Sequence, residues 1–351
     1  MKLKHPFEIT GIGSMPYKSE DKACDIIFPN FRRIPFWPQL VNKSFLEDMI
    51  AQFSERMPGI EVDLKKKKVF INRSRNIKKE IDELNKRYAL EDLEYFSISE
   101  DFAAGFYEYI YRLKSHDNTM LDYLKGQITG PISFAFAVSD ENGMPLFFDK
   151  ELFEAAVKAL SARARWQAAR LKDVFKDIII FIDEPSLVFF KQSASNSKIK
   201  KEELISYINR IAAAIHTEAS YAGMHCCADT DWDFALSTDI DILSIDAYNY
   251  GELFVRSYKK IFDFLERDGI IAWGMVPTAS DDLKKDATTL LAKLESYITF
   301  LSEKNIDRQK IINSSLLTPS CGCGVLSKPD AECVITRCVE LSQLAKEKII
   351  A

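Results

Sequence analysis

Short apolar runs separated by helix-length segments are the feature that most restricts the fold of this chain. The clearest run is Ile178 to Ile182, which reads IIIFI. Such runs are typical of strands buried on both faces of a parallel sheet, because a sheet with one wet face alternates apolar and polar residues. Similar runs at Ile240 to Ile245 and Ile270 to Met275 are each followed by a predicted helix. Parallel strands with helical crossovers form either an open doubly wound sheet or a closed barrel.

The positions of the polar motifs favour the barrel. Most of these motifs follow directly after a predicted strand, as Asp183-Glu184-Pro185 follows IIIFI. A site built at the carboxyl ends of the strands is typical of a (β/α)8 barrel. About eight strand-helix units can be counted if the segments around Trp37 and Ile128 each supply a strand. We therefore predict an α/β fold in which residues 1–351 form a single (β/α)8 TIM barrel domain, with a small excursion around residues 59–90.

The excursion combines a strand-like IEVDL, a lysine run and a strand-like VFI before a charged helix. The run from Lys65 to Lys68 predicts a solvated hairpin turn rather than an anion site. Elsewhere, the pattern predicts a helix from Lys43 to Phe53 with Asn42 as its N-cap, and a strand from Lys310 to Leu317.

Composition and charge exclude several classes of protein. The formal net charge of -5 gives no electrostatic reason to expect a nucleic-acid partner or an anionic membrane. No apolar run approaches the roughly 20 residues of a membrane helix, and the first residues lack a signal-peptide core. We therefore expect a cytoplasmic protein. Its 7 cysteines have no even spacing, which argues against a disulfide framework.

Two cysteine-containing motifs suggest a metal site. His225 and Cys227 are two residues apart at the end of a predicted strand, so both side chains can face one ion. This pair alone is a weak signal and favours an ordinary buried core over a metal site. Cys321 follows another strand and Asp246 ends an intervening one, and thiolate, imidazole and carboxylate together suit zinc. Ligands taken from the ends of different strands are typical of a catalytic zinc rather than of a compact finger.

A zinc ion with three protein ligands can also accept a substrate thiol. A free thiol has a pKa of about 8.5, whereas a thiol bound to zinc is deprotonated. The motifs therefore predict a sulfur nucleophile at neutral pH.

Acidic residues and a glycine loop are candidates for binding the rest of the substrate. Asp183 and Glu184 could cap a helix or hold a substrate ammonium group beside the zinc. The backbone N–H groups of Gly11, Gly13 and Ser14 could bind a carboxylate, although a two-glycine loop by itself is a weak signal. Glu100, taken alone, is interpreted as a structural residue near a helix start, where acidic residues are favoured.

Seven motifs distributed along the whole chain resemble those of a known family. They are Ile12-Gly13-Ser14, Ser99-Glu100, Thr129-Gly130-Pro131, Ile182-Asp183-Glu184-Pro185, His225-x-Cys227, Ile245-Asp246 and Pro319-Ser320-Cys321-Gly322. Together they are similar to the C-terminal catalytic barrel of cobalamin-independent methionine synthase. That family belongs to the superfamily that also includes uroporphyrinogen decarboxylase and corrinoid-dependent methyltransferases.

The resemblance implies roles for nine residues. The implied zinc ligands are His225, Cys227 and Cys321, with Asp246 where the family has a glutamate. The implied contacts to homocysteine are Ile12, Gly13 and Ser14 for its carboxylate, and Glu100 and Asp183 for its amino group. The implied activity is zinc-dependent transfer of a methyl group to a thiol, with homocysteine giving methionine.

The sequence departs from the family pattern in ways that affect the methyl donor. The basic, cysteine-containing segment before Thr129 and the tryptophan after the I-D-E-P motif, both used by the family for folate, are missing. We therefore expect a methylated corrinoid, free or bound to a protein, rather than methyltetrahydrofolate. Cys226 and Cys323 are additional thiols that could replace a ligand or be oxidised. The alternatives are a uroporphyrinogen decarboxylase-like enzyme and a non-catalytic partner protein that handles zinc or a corrinoid.

Overall fold

Six consecutive parallel strands form the centre of the structure. This is a computed structural model that describes residues 3–115, 117–189, 200–279 and 282–350. The six strands are Leu124–Thr129 (β3), Ile178–Asp183 (β4), Tyr221–Cys226 (β5), Ile242–Ile245 (β6), Ile270–Val276 (β7) and Ser315–Pro319 (β8). Two further strands, Ile60–Asp63 (β1) and Lys68–Ile71 (β2), form a separate sheet. The sheet order is β3-β4-β5-β6-β7-β8, and every neighbouring pair is parallel. The predicted α/β class with parallel strands is thus confirmed.

Helices connect these strands and cover the outside of the sheet. They are Glu20–Asn30 (α1), Ile77–Ala89 (α2), Ala104–Ser115 (α3), Pro131–Ala137 (α4), Lys150–Lys172 (α5), Lys201–Thr217 (α6), Trp232–Leu236 (α7), Ala247–Phe254 (α8), Tyr258–Glu266 (α9), Ala287–Glu303 (α10), Arg308–Asn313 (α11) and Lys328–Ala345 (α12). None of the helices in the described residues combines the length and apolar character that crossing a membrane requires.

The two faces of the sheet pack into different apolar clusters. On β4, Ile180 and Ile182 belong to the large cluster formed with the helices. Ile179 and Phe181 point the other way, because side chains alternate along a strand. They join a separate inner cluster with residues of β6, β7 and β8, among them Ile242 and Leu316. Residues from distant strands can meet on this face only if the sheet curls, so the six strands form a curved, barrel-like wall.

Two extended N-terminal segments lie against the edges of this sheet. Isolated parallel bridges join Ile9 to Leu317, Phe36 to Lys125 and Ser14 to Gln39. Residues 7–10 therefore lie along β8, residues 35–37 lie along β3, and the two segments meet each other. Pro35 and Pro38 supply no N–H group, which keeps the second segment from forming a regular ladder.

The excursion has the predicted form. β1 and β2 pair as an antiparallel hairpin, and its turn carries exposed lysines, including Lys65 and Lys66. The charged helix α2 follows directly.

Two local predictions were wrong. Residues Lys43 to Phe53 form two single 3-10 turns, Phe45–Glu47 and Ala51–Phe53, because Asp48 between them is extended. Ser44, not Asn42, caps the first turn, its hydroxyl accepting from the Leu46 N–H. Part of the stretch predicted as a strand from Lys310 is instead the helix α11, and β8 begins only at Ser315. The Asp307 side chain caps that helix at the Gln309 N–H.

Candidate metal and substrate site

A row of polar side chains lies across the carboxyl ends of four strands. Thr129, Asp183, His225 and Ser244 stand in register on β3, β4, β5 and β6. Register partners share a face of a sheet, and Asp183 is two residues after Phe181, so the row lies above the inner apolar cluster. All four residues are buried. Thr129 Oγ1, Asp183 Oδ1 and His225 Nε2 have no hydrogen-bond partner among the described residues. Because buried polar atoms normally have such a partner, these three are typical of a ligand-binding site.

The ring of His225 is oriented from behind by Ser244. Its Nδ1 lies 3.0 Å from the Ser244 hydroxyl oxygen. A hydrogen bond through one ring nitrogen, leaving the other available, is the usual arrangement of a metal-ligating histidine. Since Nε2 has no partner within the described ranges, it is the nitrogen available to a metal.

Two cysteines complete a three-residue group with this histidine. Cys227 lies one residue after β5, and Cys321 lies two residues after β8. One ligand atom from each of the three residues lies within 4.8 Å of the other two. Zinc binds sulfur at about 2.3 Å and imidazole nitrogen at about 2.0–2.1 Å, so this group fits a zinc ion. The sequence therefore predicted correctly that these three distant residues meet.

The pKa values of the two thiols are shifted in opposite directions. The Cys227 thiol, followed by the adjacent His225 ring, lowers the pKa of Cys321 to about 4, although burial opposes this shift. The pKa of Cys227 is raised in turn, because its thiol donates to Cys321 and is itself buried. Cys321 is thus the thiolate of the pair, which is the form that binds metals.

Asp246 lies near this group but is engaged elsewhere. It is the N-cap of α8, and one carboxylate oxygen accepts from the Asn249 backbone N–H at 2.9 Å. The other oxygen accepts from the Asn249 side-chain amide at 2.7 Å. The three-residue group of the described chain does not include it. That Asp246 completes a zinc shell stays a prediction.

Asp183 and Glu184 are adjacent acids with opposite surroundings. Burial raises the pKa of Asp183 to about 6, and His225 and Lys125 oppose that shift. Glu184 faces away and is fully buried. It accepts hydrogen bonds at the start of α4 from the backbone N–H groups of Ile132 and Ser133 and from the Ser133 hydroxyl. Glu184 therefore has the helix-capping role, whereas Asp183 remains available to a ligand.

The glycine loop of residues 12–14 packs against the loop that carries Cys321. The Ser14 hydroxyl accepts from the Gly324 N–H at 3.2 Å, and the Ser14 carbonyl accepts from the Cys323 N–H at 2.9 Å. A Cβ atom on Gly322 would lie only 2.1 Å from the Ser14 hydroxyl oxygen. The contact thus requires glycine at position 322, and it places the two loops at one site.

The remaining candidate residues lie outside this contact. Glu100 is exposed in the turn before α3, four residues ahead of the helix, so its predicted contact with an amino group stays a prediction. Cys226 is buried on the outer face of the sheet. Cys323 is also buried, and burial raises its pKa to about 12. Both of these thiols are therefore protonated and unlike Cys321.

Lys125 is a residue that the sequence reasoning missed. It lies on β3 and is fully buried, and its ammonium group donates to the Ile12 carbonyl at 2.6 Å. Burial lowers its pKa to about 7, and the charge of Asp183 opposes that shift. The available signal was a charged residue inside the otherwise uncharged strand LKGQIT.

Comparisons with known proteins agree with this architecture. The chain is similar to the solved structure of a B12-independent methionine synthase from Shewanella sp. W3-18-1 in complex with selenomethionine, with 15% sequence identity and a TM-score of 0.50. The match covers 70% of this chain and 67% of that chain. No protein-family model matches the chain, and the search of curated proteins gave no significant match. At this identity the likeness shows a shared fold.

Proposed function

We propose that this protein is a zinc-dependent methyltransferase that transfers a methyl group to a thiol, with homocysteine as the acceptor and methionine as the product. The observation that carries the proposal is the meeting of His225, Cys227 and Cys321 beside Asp183, a buried carboxylate with an unpartnered oxygen. The resemblance of the sequence motifs and the fold shared with a methionine synthase support it.

The metal would be held by His225, Cys227 and Cys321. A zinc ion bound there would keep an additional thiol ligand in its deprotonated, nucleophilic form at neutral pH. Ser244 supports this chemistry by fixing the His225 ring. Asp246 enters the proposal as a neighbouring carboxylate that would have to leave Asn249 in order to bind the metal.

The amino-acid end of the acceptor would be held by the chain itself. Asp183 would bind the ammonium group through its unpartnered oxygen. The loop of Ile12, Gly13 and Ser14 would bind the carboxylate, and Glu100 would reach the ammonium group from the turn before α3. Fixing the ammonium and carboxylate groups of the acceptor orients its sulfur toward the methyl donor, and such positioning supplies a large share of catalysis in bimolecular reactions.

We also propose that the curved sheet closes into an eight-stranded barrel that forms one domain. The segments along β8 and β3 would be the first two strands, and their contact between Ser14 and Gln39 supports this assignment. Closure would place the glycine loop at the same carboxyl rim as the metal ligands, where the sites of such barrels lie.

The donor proposed here is a methylated corrinoid. The reason is the missing folate segments before Thr129 and after Pro185. The protein would thus act on a small-molecule thiol together with a corrinoid or a corrinoid protein.

The test is to measure bound zinc and methionine formation in the same preparations. The protein would be incubated with homocysteine and either methylcobalamin or methyltetrahydrofolate. We expect about one zinc per chain and methionine from methylcobalamin, and we expect Cys321→Ser to lose both the zinc and the product. Cys323→Ser is the matched control and should retain both. No zinc in the wild-type protein would favour the decarboxylase-like alternative, and zinc without product from either donor would favour the non-catalytic one.

A further inference from the structure

The fully buried Lys125 is neither a proposed metal ligand nor a proposed contact of the acceptor. Removing an ammonium group from water is costly unless the group is well paired. Its Nζ lies 2.6 Å from the Ile12 carbonyl oxygen and 3.4 Å from Gln127 Oε1. The cation also lies 4.5 Å from the centre of the Phe181 ring. These contacts offset part of the cost of burial and hold the ammonium group in one position.

This position links the glycine loop to the acidic residue of the site. Ile12, whose carbonyl accepts from Lys125, directly precedes Gly13 and Ser14. On the other side, Phe181 is two residues before Asp183 on the same face of β4. Lys125 and Thr129 are four residues apart on β3, and Thr129 is the register partner of Asp183 on β4. Lys125 and Asp183 therefore lie on the same face of the sheet. Lys125 thus lies between the two parts of the chain proposed to hold the amino-acid end of the acceptor.

The position of the glycine loop also depends on the side chains of β3 and of the second N-terminal segment that it contacts. A Cβ atom on Gly13 would come within 2.9 Å of the Gln127 side chain and of Gln39 Oε1. Gln127 is itself fixed, because its amide donates to the Trp37 carbonyl. In addition, the Ser14 hydroxyl oxygen accepts a hydrogen bond from the Gly324 N–H. Lys125 is the charged member of this set.

We propose that Lys125 is a positioning residue that sets the glycine loop and Asp183 for recognition of an α-amino-acid thiol. The inference rests on the proposed function and makes it more specific. Lys125 acts through the Ile12 carbonyl and through Asp183, not through the metal. Replacement of Lys125 should therefore weaken the binding of thiols that carry an ammonium and a carboxylate group, but not the binding of thiols that lack both.

The experiment compares two thiols on the zinc-loaded protein. Binding of L-homocysteine and of 2-mercaptoethanol would be measured by calorimetry for the wild-type protein and for Lys125→Met, which keeps a similar volume without charge. We expect the Kd of homocysteine to rise about tenfold or more, since a charge-assisted hydrogen bond is lost. The Kd of 2-mercaptoethanol and the zinc content should stay within about twofold, because no metal ligand is changed. Lys346→Met, which breaks the ion pair with Glu8, is the matched control and should alter the binding of neither thiol.

Two outcomes contradict the inference. Equal weakening of both thiols would show general damage to the site, and unchanged homocysteine binding would show that Lys125 does not support recognition. If Lys125→Met does not fold, Lys125→Gln keeps an N–H donor without the charge and should give a smaller, still selective loss. A wild-type protein that binds zinc and 2-mercaptoethanol but not homocysteine would overturn this inference and the choice of homocysteine as acceptor, but not zinc-dependent methylation of a thiol. A protein that binds no zinc would overturn the proposed function with it.

Discussion

At the scale of single residues, the site depends on which way neighbouring side chains point. Asp183 and Glu184 are chemically similar, but one faces the inner side of the sheet and the other faces α4. Both carboxylate oxygens of Glu184 accept hydrogen bonds, whereas one oxygen of Asp183 has no partner among the described residues. The same parity separates His225 and Cys227 from Cys226, which packs against the helices. Alternation along a strand therefore decides which of the adjacent polar residues are available for chemistry.

This difference predicts opposite results for two substitutions. Glu184→Ala should destabilise the protein by about 3 kcal/mol, because it leaves buried donors of Ile132 and Ser133 unpaired. Asp183→Ala should change stability little, since it removes a buried carboxylate with an unsatisfied oxygen, but it should abolish homocysteine binding. Urea unfolding and calorimetry measure the two effects. A large loss of stability in Asp183→Ala would contradict the assignment.

Asp246 gives a second prediction at this scale. Because both of its oxygens accept from Asn249, Asp246→Ala should cost about 1 kcal/mol as a lost helix cap and should leave the zinc affinity within a few-fold. Thermal unfolding and a competition titration with a chelator measure these quantities. Asp286→Ala, which removes the N-cap of α10, serves as a control for the cap effect alone. A loss of zinc affinity in Asp246→Ala of a hundredfold would show instead that Asp246 is a ligand.

At the scale of elements, the sequence predicted the strands that are uniformly apolar and missed the segments that tertiary contacts shape. The strands β4 to β7 follow from their apolar runs, because burial on both faces leaves a clear pattern. The stretch from Lys43 to Phe53 has helical periodicity, but it is broken where Asp48 turns to bond the Ile50 N–H. The meeting of His225, Cys227 and Cys321 could be predicted because each lies at or just after the end of a strand. The role of Lys125 could not, because it depends on a carbonyl 113 positions away.

One of these tertiary contacts is sensitive to pH. Glu47, in the first 3-10 turn, accepts from the Leu40 N–H through one oxygen, while its other oxygen has no partner within the described chain. Burial raises its pKa from 4.5 to about 7. The folded state therefore binds this proton more tightly than the unfolded state does. Its contribution to stability is present in full below the unfolded pKa and is lost as the pH rises through about 7.

The prediction compares the wild-type protein with Glu47→Gln, which is neutral at every pH. The stability of the wild-type protein relative to Glu47→Gln should fall as the pH rises from about 5 to about 7.5. Other groups contribute equally to both proteins and cancel. Urea unfolding of both proteins at the two pH values measures the difference. A difference that is constant or rises with pH would show that Glu47 is ionised in the folded protein throughout this range.

At the scale of the whole molecule, the proposed barrel requires that the curved sheet has no free edges. A six-stranded sheet that ended at β3 and β8 would expose unpaired backbone groups on both edge strands. Here the Leu317 N–H donates to the Glu8 carbonyl at 2.8 Å, and the Lys125 N–H donates to the Pro35 carbonyl at 2.9 Å. The two N-terminal segments thus satisfy both edges, although neither is a regular strand. The first of these segments leads into the glycine loop, where Ser14 contacts Cys323 and Gly324. The proposed barrel and the proposed site therefore depend on the same part of the chain.

Closure can be tested by hydrogen exchange of backbone amides. If the sheet is closed, the Leu317 and Lys125 amides should exchange as slowly as the His225 amide, which lies on a central strand, because opening any of them requires opening the barrel. A truly free edge would exchange by local fraying and would be faster by orders of magnitude. Substitution of Ile9 by glycine should weaken the first segment and accelerate exchange at Leu317 before it does so at His225. If the edge amides of the wild-type protein exchange rapidly while those of β5 stay protected, the sheet is open and the glycine loop is not held beside Cys321.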